Sequence, residues 1–196
     1  MRKLILALIG LAALSWGVYE CKYYGDYWLD TYQRPWAYSR DTNTPLLVGK
    51  WQGSFIDPNG IKKQIDVEIF VPTTDEERRT KASRRRRKRH VAADTRSFDG
   101  MATVSSRLGE EVYEIYGAVK KENHHQLHFN FRPQDEKKRI LPNFTLLEAK
   151  EGSWQNDQLQ LLLTFAYHKA DGSSFWSSAN PRHSKQSPTI LIRQTP

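Results

Sequence analysis

Apolar and polar residues alternate along most of the chain after residue 46, a pattern typical of strands that bury one face. The clearest pair of strands flanks the tetrapeptide Asp57-Pro58-Asn59-Gly60. Proline fixes φ near −65° and Asn-Gly tolerates positive φ, so the chain reverses tightly here. The first strand runs from about Leu47 to Ile56 and the second ends at about Val71. The pattern therefore predicts a β-hairpin that starts the domain.

Further short strands follow at intervals of about 8 to 12 residues, which is the spacing of sandwiches and barrels. They are predicted at 98–106, 112–119, 125–131, 140–149, 159–167 and 187–193, with turns at 108–110, 151–153 and 171–172. No segment after residue 40 has convincing helical periodicity. Short sequential connections favour an all-β fold, an antiparallel up-and-down barrel of about eight strands, because closing such a meander removes its exposed edges.

The N-terminal sequence predicts that the protein is targeted to a membrane. Met1-Arg2-Lys3 is followed by an uncharged apolar segment at 4–19, and residues 1–24 are interpreted as a signal-anchor or a signal peptide. We favour a retained anchor, which gives a single-pass protein with a cytoplasmic N-terminus and an extracytoplasmic barrel, periplasmic if the source is bacterial. The alternative is cleavage near Ser15 or Gly17, followed by secretion.

Between this segment and the barrel, residues 25–46 are interpreted as an aromatic juxtamembrane segment and a linker, because tyrosine and tryptophan favour the headgroup level of a membrane. The same aromatic residues could instead pack against the barrel. Cys21 is the single cysteine, so an intramolecular disulfide is excluded. Glu20 stands where a lipoprotein signal needs a small residue, which disfavours acylation of Cys21. The barrel domain is assigned to 47–196.

The formal charge of +8 comes from one place. Nine lysines and arginines lie between Arg78 and Arg89, and without them 21 basic residues stand against 22 acidic residues. They belong to a predicted loop insertion at 72–97, which has no apolar periodicity. Its densest part is the basic block, Arg84, Arg85, Arg86, Arg87, Lys88 and Arg89. Such a block attracts polyanions, so an anionic lipid, a cell-wall polymer or an acidic protein is the expected partner, and the near-neutral body argues against nucleic acid.

No pattern in the chain predicts a catalytic centre, a metal site or a cofactor. His124 and His128 share a strand face but would lie ~13 Å apart, so exposed hairpin histidines are the better interpretation of these two residues and His125. Asp66 and Glu68 share a polar strand face and are interpreted as solvated. The chain has no serine elbow and no phosphate-binding glycine loop. We therefore expect a protein that is not an enzyme.

Gly49-Lys50-Trp51 on the first strand resembles the Gly-x-Trp signature at the start of lipocalin and related calycin barrels. The resemblance covers these residues and the strand count. It implies that Trp51 acts as a barrel plug, that an arginine on the last strand, here Arg193, covers the indole, and that the cavity takes a small apolar molecule. The helix expected near the C-terminus of lipocalins has no counterpart in the sequence.

Together these patterns predict a membrane-anchored or exported β-barrel that works by binding a small apolar ligand or an envelope partner. An accessory or protective subunit of a membrane protein complex is the alternative, and an enzyme is the less favoured one. A barrel interior filled by large side chains would favour an interaction module, whereas an open apolar cavity would favour a ligand carrier.

Overall fold

The computed structural model describes residues 2–41, 44–72, 95–176 and 186–194, with side chains for all of these except 2–9, 22–24, 26–27 and 175–176. A helix, α1 (Arg2–Gln33), precedes a sheet, and a single 3-10 turn lies at Glu136–Lys138. The sheet contains β1 (Gly49–Ile56), β2 (Lys62–Ile69), β3 (Ser97–Ser106), β4 (Gly109–Val119), β5 (Gln126–Pro133), β6 (Asn143–Gln155), β7 (Gln158–His168), β8 (Ser174–Trp176) and β9 (Ser187–Arg193).

Eight of these strands form a closed ring. Each strand from β1 to β7 pairs antiparallel with the next, and β9 pairs with both β7 and β1. The short β8 pairs only with the end of β7, at Ala166–His168. The predicted fold class, an antiparallel up-and-down barrel of about eight strands behind an N-terminal helix, is therefore confirmed.

The hairpin at the start of the barrel has the tight turn that its residue types predict. The Asp57 amide donates to the Ile61 carbonyl (3.0 Å), and the Gly60 amide donates to the Asp57 carbonyl (2.9 Å). Gly60 has φ of +79°, a conformation that costs glycine little. Asp57 Oδ1 also accepts from the amides of Asn59 and Ile61, at 2.9 Å each. The turn therefore fixes the Asp57 side chain as well as the backbone.

The predicted turn at Glu151–Ser153 is wrong, because β6 continues through it to Gln155. Its pairing with β7 shifts register between Ala149 and Ser153, and Gly152 lies opposite Leu127 of β5. A Cβ on Gly152 would lie 3.0 Å from the Leu127 side chain. The glycine thus marks an irregularity inside a strand, where a neighbouring chain comes close, and not a turn.

Large apolar side chains fill the barrel interior. Phe55 and Phe165 face each other across it, with ring centroids 5.8 Å apart. Phe129 contacts both Phe98 (6.0 Å) and Phe131 (5.1 Å). All five rings are almost fully buried. The interior positions are therefore occupied by packed side chains in the manner of small barrels.

One end of the barrel, where β1 starts, is covered by the segment that follows α1, and we name it the closed end. Trp36 and Leu47 are buried in the core, and the Leu47 amide donates to the Trp36 carbonyl (2.8 Å). The Trp36 indole donates to the Thr95 carbonyl (3.2 Å), and the Tyr38 hydroxyl donates to the Pro72 carbonyl (2.8 Å). The opposite end, where β1 meets the turn at Asp57, is named the mouth.

Helix α1 leads directly into this cover, because the Arg34 amide donates to the Asp30 carbonyl (2.8 Å) and its guanidinium to the Asp30 carboxylate (2.9 Å). Among the residues that the structure describes, no helix is both long and apolar enough to cross a membrane. Large apolar and aromatic side chains on α1 are exposed, namely Leu11, Leu14, Trp16, Val18, Tyr19, Trp28, Leu29 and Tyr32.

Most of the predicted loop insertion, residues 73–94, lies outside the described residues, and so does the basic block at 84–89. The predicted limits of the anchor, the juxtamembrane segment and the barrel domain stay predictions. Trp36 of the juxtamembrane segment is 1% exposed within the core. At least this aromatic residue packs against the barrel.

Candidate binding site at the mouth of the barrel

A lysine is buried inside the mouth. Lys63 occupies an inward position of β2 and is 2% exposed. Its ammonium donates to Asn143 Oδ1 (2.8 Å) and to the Phe144 carbonyl (2.6 Å), and it lies 3.5 Å from Asp57 Oδ2. Burial lowers the pKa of Lys63, and the carboxylates of Glu111 and Asp57 act against that shift. The lysine is a buried charge with partners on all sides.

The polar contacts continue across the mouth to β4. Asn143 Nδ2 donates to Glu111 Oε2 (3.1 Å), and the Tyr113 hydroxyl donates to the same oxygen (3.0 Å). Burial, followed by the Glu111 charge, raises the pKa of Tyr113 well above its ordinary value. These five residues, Asp57, Lys63, Glu111, Tyr113 and Asn143, are named the mouth network.

Two clefts are lined in part by residues of the mouth network. The Asp57 cleft has a volume of about 260 Å³ and is lined by Ile56, Asp57, Pro58, Gly60, Phe165, Gln186 and Ser187. The Arg139 cleft has a volume of about 230 Å³ and is lined by Glu110, Glu111, Val112, Tyr113, Pro133, Gln134, Asp135, Lys138 and Arg139. The network therefore contributes side chains to both clefts.

Arg139 is oriented by a contact with His168. Its Nη1 lies 3.1 Å from His168 Nδ1, and because a guanidinium can only donate, that imidazole nitrogen must accept. Burial and the neighbouring Arg139 charge lower the pKa of His168, which keeps the ring neutral. Arg139 Nη2 lies 3.8 Å from Glu136, whose side chain is 81% exposed. That second contact is weak because solvent screens it.

Two buried side-chain atoms in the described part of the chain have no hydrogen-bond partner, Asp57 Oδ2 and Arg139 Nε. Each belongs to a residue that lines one of the two clefts. Buried polar atoms in folded proteins are almost always hydrogen-bonded, to protein groups or to ordered water, so each exception needs an explanation. Asp57 Oδ2 still has the Lys63 ammonium 3.5 Å away as its ion-pair partner, so of the two atoms only Arg139 Nε lacks both a hydrogen bond and an ion-pair contact.

Trp51, the predicted barrel plug, lies at the closed end and not at the mouth. It is fully buried, and its indole donates to the Leu47 carbonyl (2.9 Å). The Arg193 guanidinium lies over the ring, 4.3 Å from its centroid, and donates to the carbonyls of Val48 (3.0 Å) and Leu46. This is the tryptophan–arginine arrangement that the resemblance to lipocalins implies. No helix follows the 3-10 turn in the described ranges.

The predicted histidine set is also remote from the mouth. His124 and His125 stack at 4.5 Å, and His125 packs at 4.5 Å against Trp154, whose indole donates to the His124 carbonyl (2.9 Å). His128 is exposed on β5. Within the described ranges, no group of three or more metal-ligating side chains comes together.

The mouth network was not predicted from the sequence, although the strand pattern placed charged residues in phase with buried ones. Lys63 has the same parity as Ile65, Val67 and Ile69, so a charged residue occupied an inward position at the start of a strand. Glu111 is likewise in phase with Tyr113 and Ile115. A charge in phase with buried residues indicates a partner elsewhere in the fold, because a lone buried charge is too costly.

No family model matches the sequence, and no curated protein is similar enough to count as a relative. Among solved structures, the chain is similar to a de novo designed fluorescence-activating β-barrel, with 13% identity, a TM-score of 0.40, and coverage of 78% of this chain and 94% of the design. It is also similar to a redesigned barrel, mFAP0, bound to DFHBI, with 15% identity, a TM-score of 0.43, and coverage of 75% and 98% respectively. A third such structure, EF1p2_mFAP2b bound to DFHBI, has 16% identity, a TM-score of 0.45, and coverage of 76% and 94%. None of these similarities assigns the chain to a family.

Proposed function

We propose that this protein is a non-enzymatic binding module that works through the mouth of its barrel. The observation that carries the proposal is Arg139 Nε, a buried donor without a hydrogen-bond partner on a residue that lines the Arg139 cleft. Binding sites are concave and combine apolar walls with a few fixed polar groups. Phe165 and Pro58 in the Asp57 cleft, and Tyr113 in the Arg139 cleft, supply the apolar part.

Because the barrel interior is filled, binding at the mouth is better supported than binding of a small apolar ligand deep inside the barrel. Trp51, Phe55, Phe129 and Phe165 occupy the positions where such a ligand would lie. Expelling packed aromatic rings would forfeit contacts that stabilise the core. The mouth, in contrast, already has open volume in its two clefts.

The state of the buried groups supports binding over catalysis. Lys63 donates two hydrogen bonds and is paired with the Asp57 carboxylate, and in this ammonium form its nitrogen has no lone pair for attack. Tyr113 holds its proton more tightly than an ordinary phenol, so it is a poor general acid or base near neutral pH. These groups can hold a ligand but are not tuned to transform one.

We further propose that α1 attaches the barrel to a membrane, with the barrel on the extracytoplasmic side. The exposed apolar side chains support this, because Leu14 (70% exposed) and Val18 (68%) share one face of the helix and Trp16 (71%) lies on the opposite face. Basic residues precede the apolar segment, which favours a cytoplasmic N-terminus. Fractionation of the full chain and of a chain without residues 2–33 tests this, since attachment through α1 requires that only the full chain sediments with membranes.

The binding proposal is tested by native mass spectrometry of the full chain purified from its own host. Gln134→Trp and Gln186→Trp place a large ring at the exposed rim of the Arg139 cleft and the Asp57 cleft respectively. Gln160→Trp, on the outer wall of β7, is the matched control. We expect a bound species that the control retains and one of the mouth variants loses. A bound species that survives both mouth substitutions contradicts binding at the mouth.

A further inference from the structure

The Nε–Nη2 edge of Arg139 has donors that are not used in a hydrogen bond. A guanidinium pairs with a carboxylate most effectively through two parallel N–H groups, and the Nε–Nη2 edge is one of the edges that provides them. In Arg139, Nη1 is occupied by His168, Nε has no partner, and Nη2 has only the 3.8 Å contact with Glu136. The occupied side thus orients the group, and the adjacent edge keeps unused donors, of which Nε is buried.

The same cleft is also lined by fixed negative charge. Glu111 Oε2 accepts hydrogen bonds from Tyr113 and Asn143, which hold the carboxylate in one position. Glu110 lines the cleft beside it. The lining of the cleft therefore includes both a guanidinium and carboxylates.

The remaining charges in the cleft largely compensate each other. Lys138 and Asp135 lie 3.9 Å apart, so they form an exposed pair. A doubly charged anion such as phosphate would be repelled by Glu110 and Glu111, and a simple amine would be repelled by Arg139. A molecule that carries one charge of each sign meets attraction at both ends.

The volume of the cleft suits a small molecule. A volume of about 230 Å³ corresponds to roughly seven or eight water molecules at ~30 Å³ each. An amino acid with a short chain falls within that range. We propose that the Arg139 cleft binds a small zwitterion, with its carboxylate on the Nε–Nη2 edge of Arg139 and its ammonium group toward Glu111 and Glu110. This pose requires the atoms that cover the buried Nε to move aside. This inference rests on the proposed function of the mouth as a binding site.

The test is an NMR titration of the full chain, in non-ionic detergent, that follows the amide resonances of Val112 and Gln134. The probes are three ω-amino acids of increasing length, glycine, β-alanine and γ-aminobutyrate, and the two single-charge analogues, butyrate and butylamine. We expect saturable shifts with at least one zwitterion at millimolar concentration, and binding about tenfold or more weaker for both analogues, because each lacks one charge-assisted contact. Equal affinities for zwitterions and analogues, or the absence of saturable shifts with all three zwitterions, overturn the proposal.

Matched variants locate the site. Arg139→Lys keeps the charge but loses the two-pronged edge, and it should weaken zwitterion binding about tenfold, whereas Arg132→Lys on the exposed face of β5 should not. Glu111→Gln should remove the preference for the zwitterion over butyrate. Gln134→Trp blocks the cleft from its exposed rim without touching the network, so it tests the site even where an Arg139 variant does not fold. Unchanged binding in Gln134→Trp overturns the proposal.

The two proposals fail in different ways. A species lost from the mouth in native mass spectrometry, together with no zwitterion binding, refutes the ligand class and leaves the binding function standing. A bound species that survives both Gln134→Trp and Gln186→Trp refutes binding at the mouth itself.

Discussion

Replacing Lys63 with methionine isolates the charge at the centre of the mouth network. Methionine has nearly the length of the lysine stem and fills the same space, so the main loss is the ammonium group. The Asp57 carboxylate, whose side chain is 0% exposed, would then remain in the core without its cation. Asn143 Oδ1 and the Phe144 carbonyl would each lose a donor.

The expected cost follows from these contacts. Removing one partner of a buried ion pair costs about 3–5 kcal/mol, because the other charge is left uncompensated. Asn143 Oδ1 and the Phe144 carbonyl lose their donor through the same substitution. Their penalties of about 1–3 kcal/mol each therefore overlap with this figure and are not added to it. Asp57 keeps two amide donors on Oδ1, which limits the loss. We therefore expect Lys63→Met to lower the free energy of unfolding by about 3–5 kcal/mol, a large part of the ~5–15 kcal/mol typical of a domain.

Urea unfolding followed by tryptophan fluorescence measures this difference. Lys62→Met is the matched control, since Lys62 is the exposed neighbour on the same strand and should change stability by less than about 0.5 kcal/mol. The double variant Asp57→Asn, Lys63→Met removes the stranded charge and should be more stable than Lys63→Met alone. The reasoning is refuted if Lys63→Met unfolds within about 1 kcal/mol of the natural protein, or if the double variant is less stable than the single one.

Three further predictions concern other parts of the barrel. Gly53→Ala should cost about 1–3 kcal/mol in urea unfolding, because its Cβ would lie 2.5 Å from the Ile190 carbonyl oxygen, whereas Gly10→Ala meets nothing within 4 Å and should be tolerated; equal effects would contradict the steric argument. Arg193→Ala should cost about 1–3 kcal/mol in the same assay, through the lost indole contact and two carbonyl partners, and an unchanged midpoint would argue against a role for the guanidinium. The raised pKa of Tyr113 means that the unfolded chain loses its phenol proton near pH 10 while the folded chain keeps it, so stability falls as pH rises above 10. Melting temperatures from about pH 9 to about pH 11 should therefore decline less steeply for Tyr113→Phe, and parallel curves would exclude this linkage.

The fold was predictable from the sequence because its signals are local. The turn at Asp57–Gly60 and the alternation of β7 each lie within about ten residues, and each is dictated by backbone preference or by strand periodicity. The prediction failed at Gly152, where a glycine at a point of close approach has the same local appearance as a glycine in a turn.

The candidate site could not be predicted in the same way because it depends on the closure of the ring. Lys63 and Asn143 are 80 residues apart in sequence and meet only when β2 and β6 occupy the same end of the barrel. Arg139 and His168 come from the approach to β6 and from the end of β7, and their contact likewise exists only in the closed fold. The parity of Lys63 indicated that a partner was needed, but it did not identify the partner.

The seam between β1 and β9 has a consequence for how the protein is made. Only three residue pairs join these strands, from Trp51 with Arg193 to Gly53 with Leu191. A ribosome delivers β1 first among the barrel strands and β9 last, so the ring stays open, with two unpaired edges, throughout translation of the domain. Open strand edges are sites where nascent chains aggregate. We therefore expect the interval before β9 emerges to be the most vulnerable stage of biosynthesis, and a chaperone that covers strand edges would act during that interval.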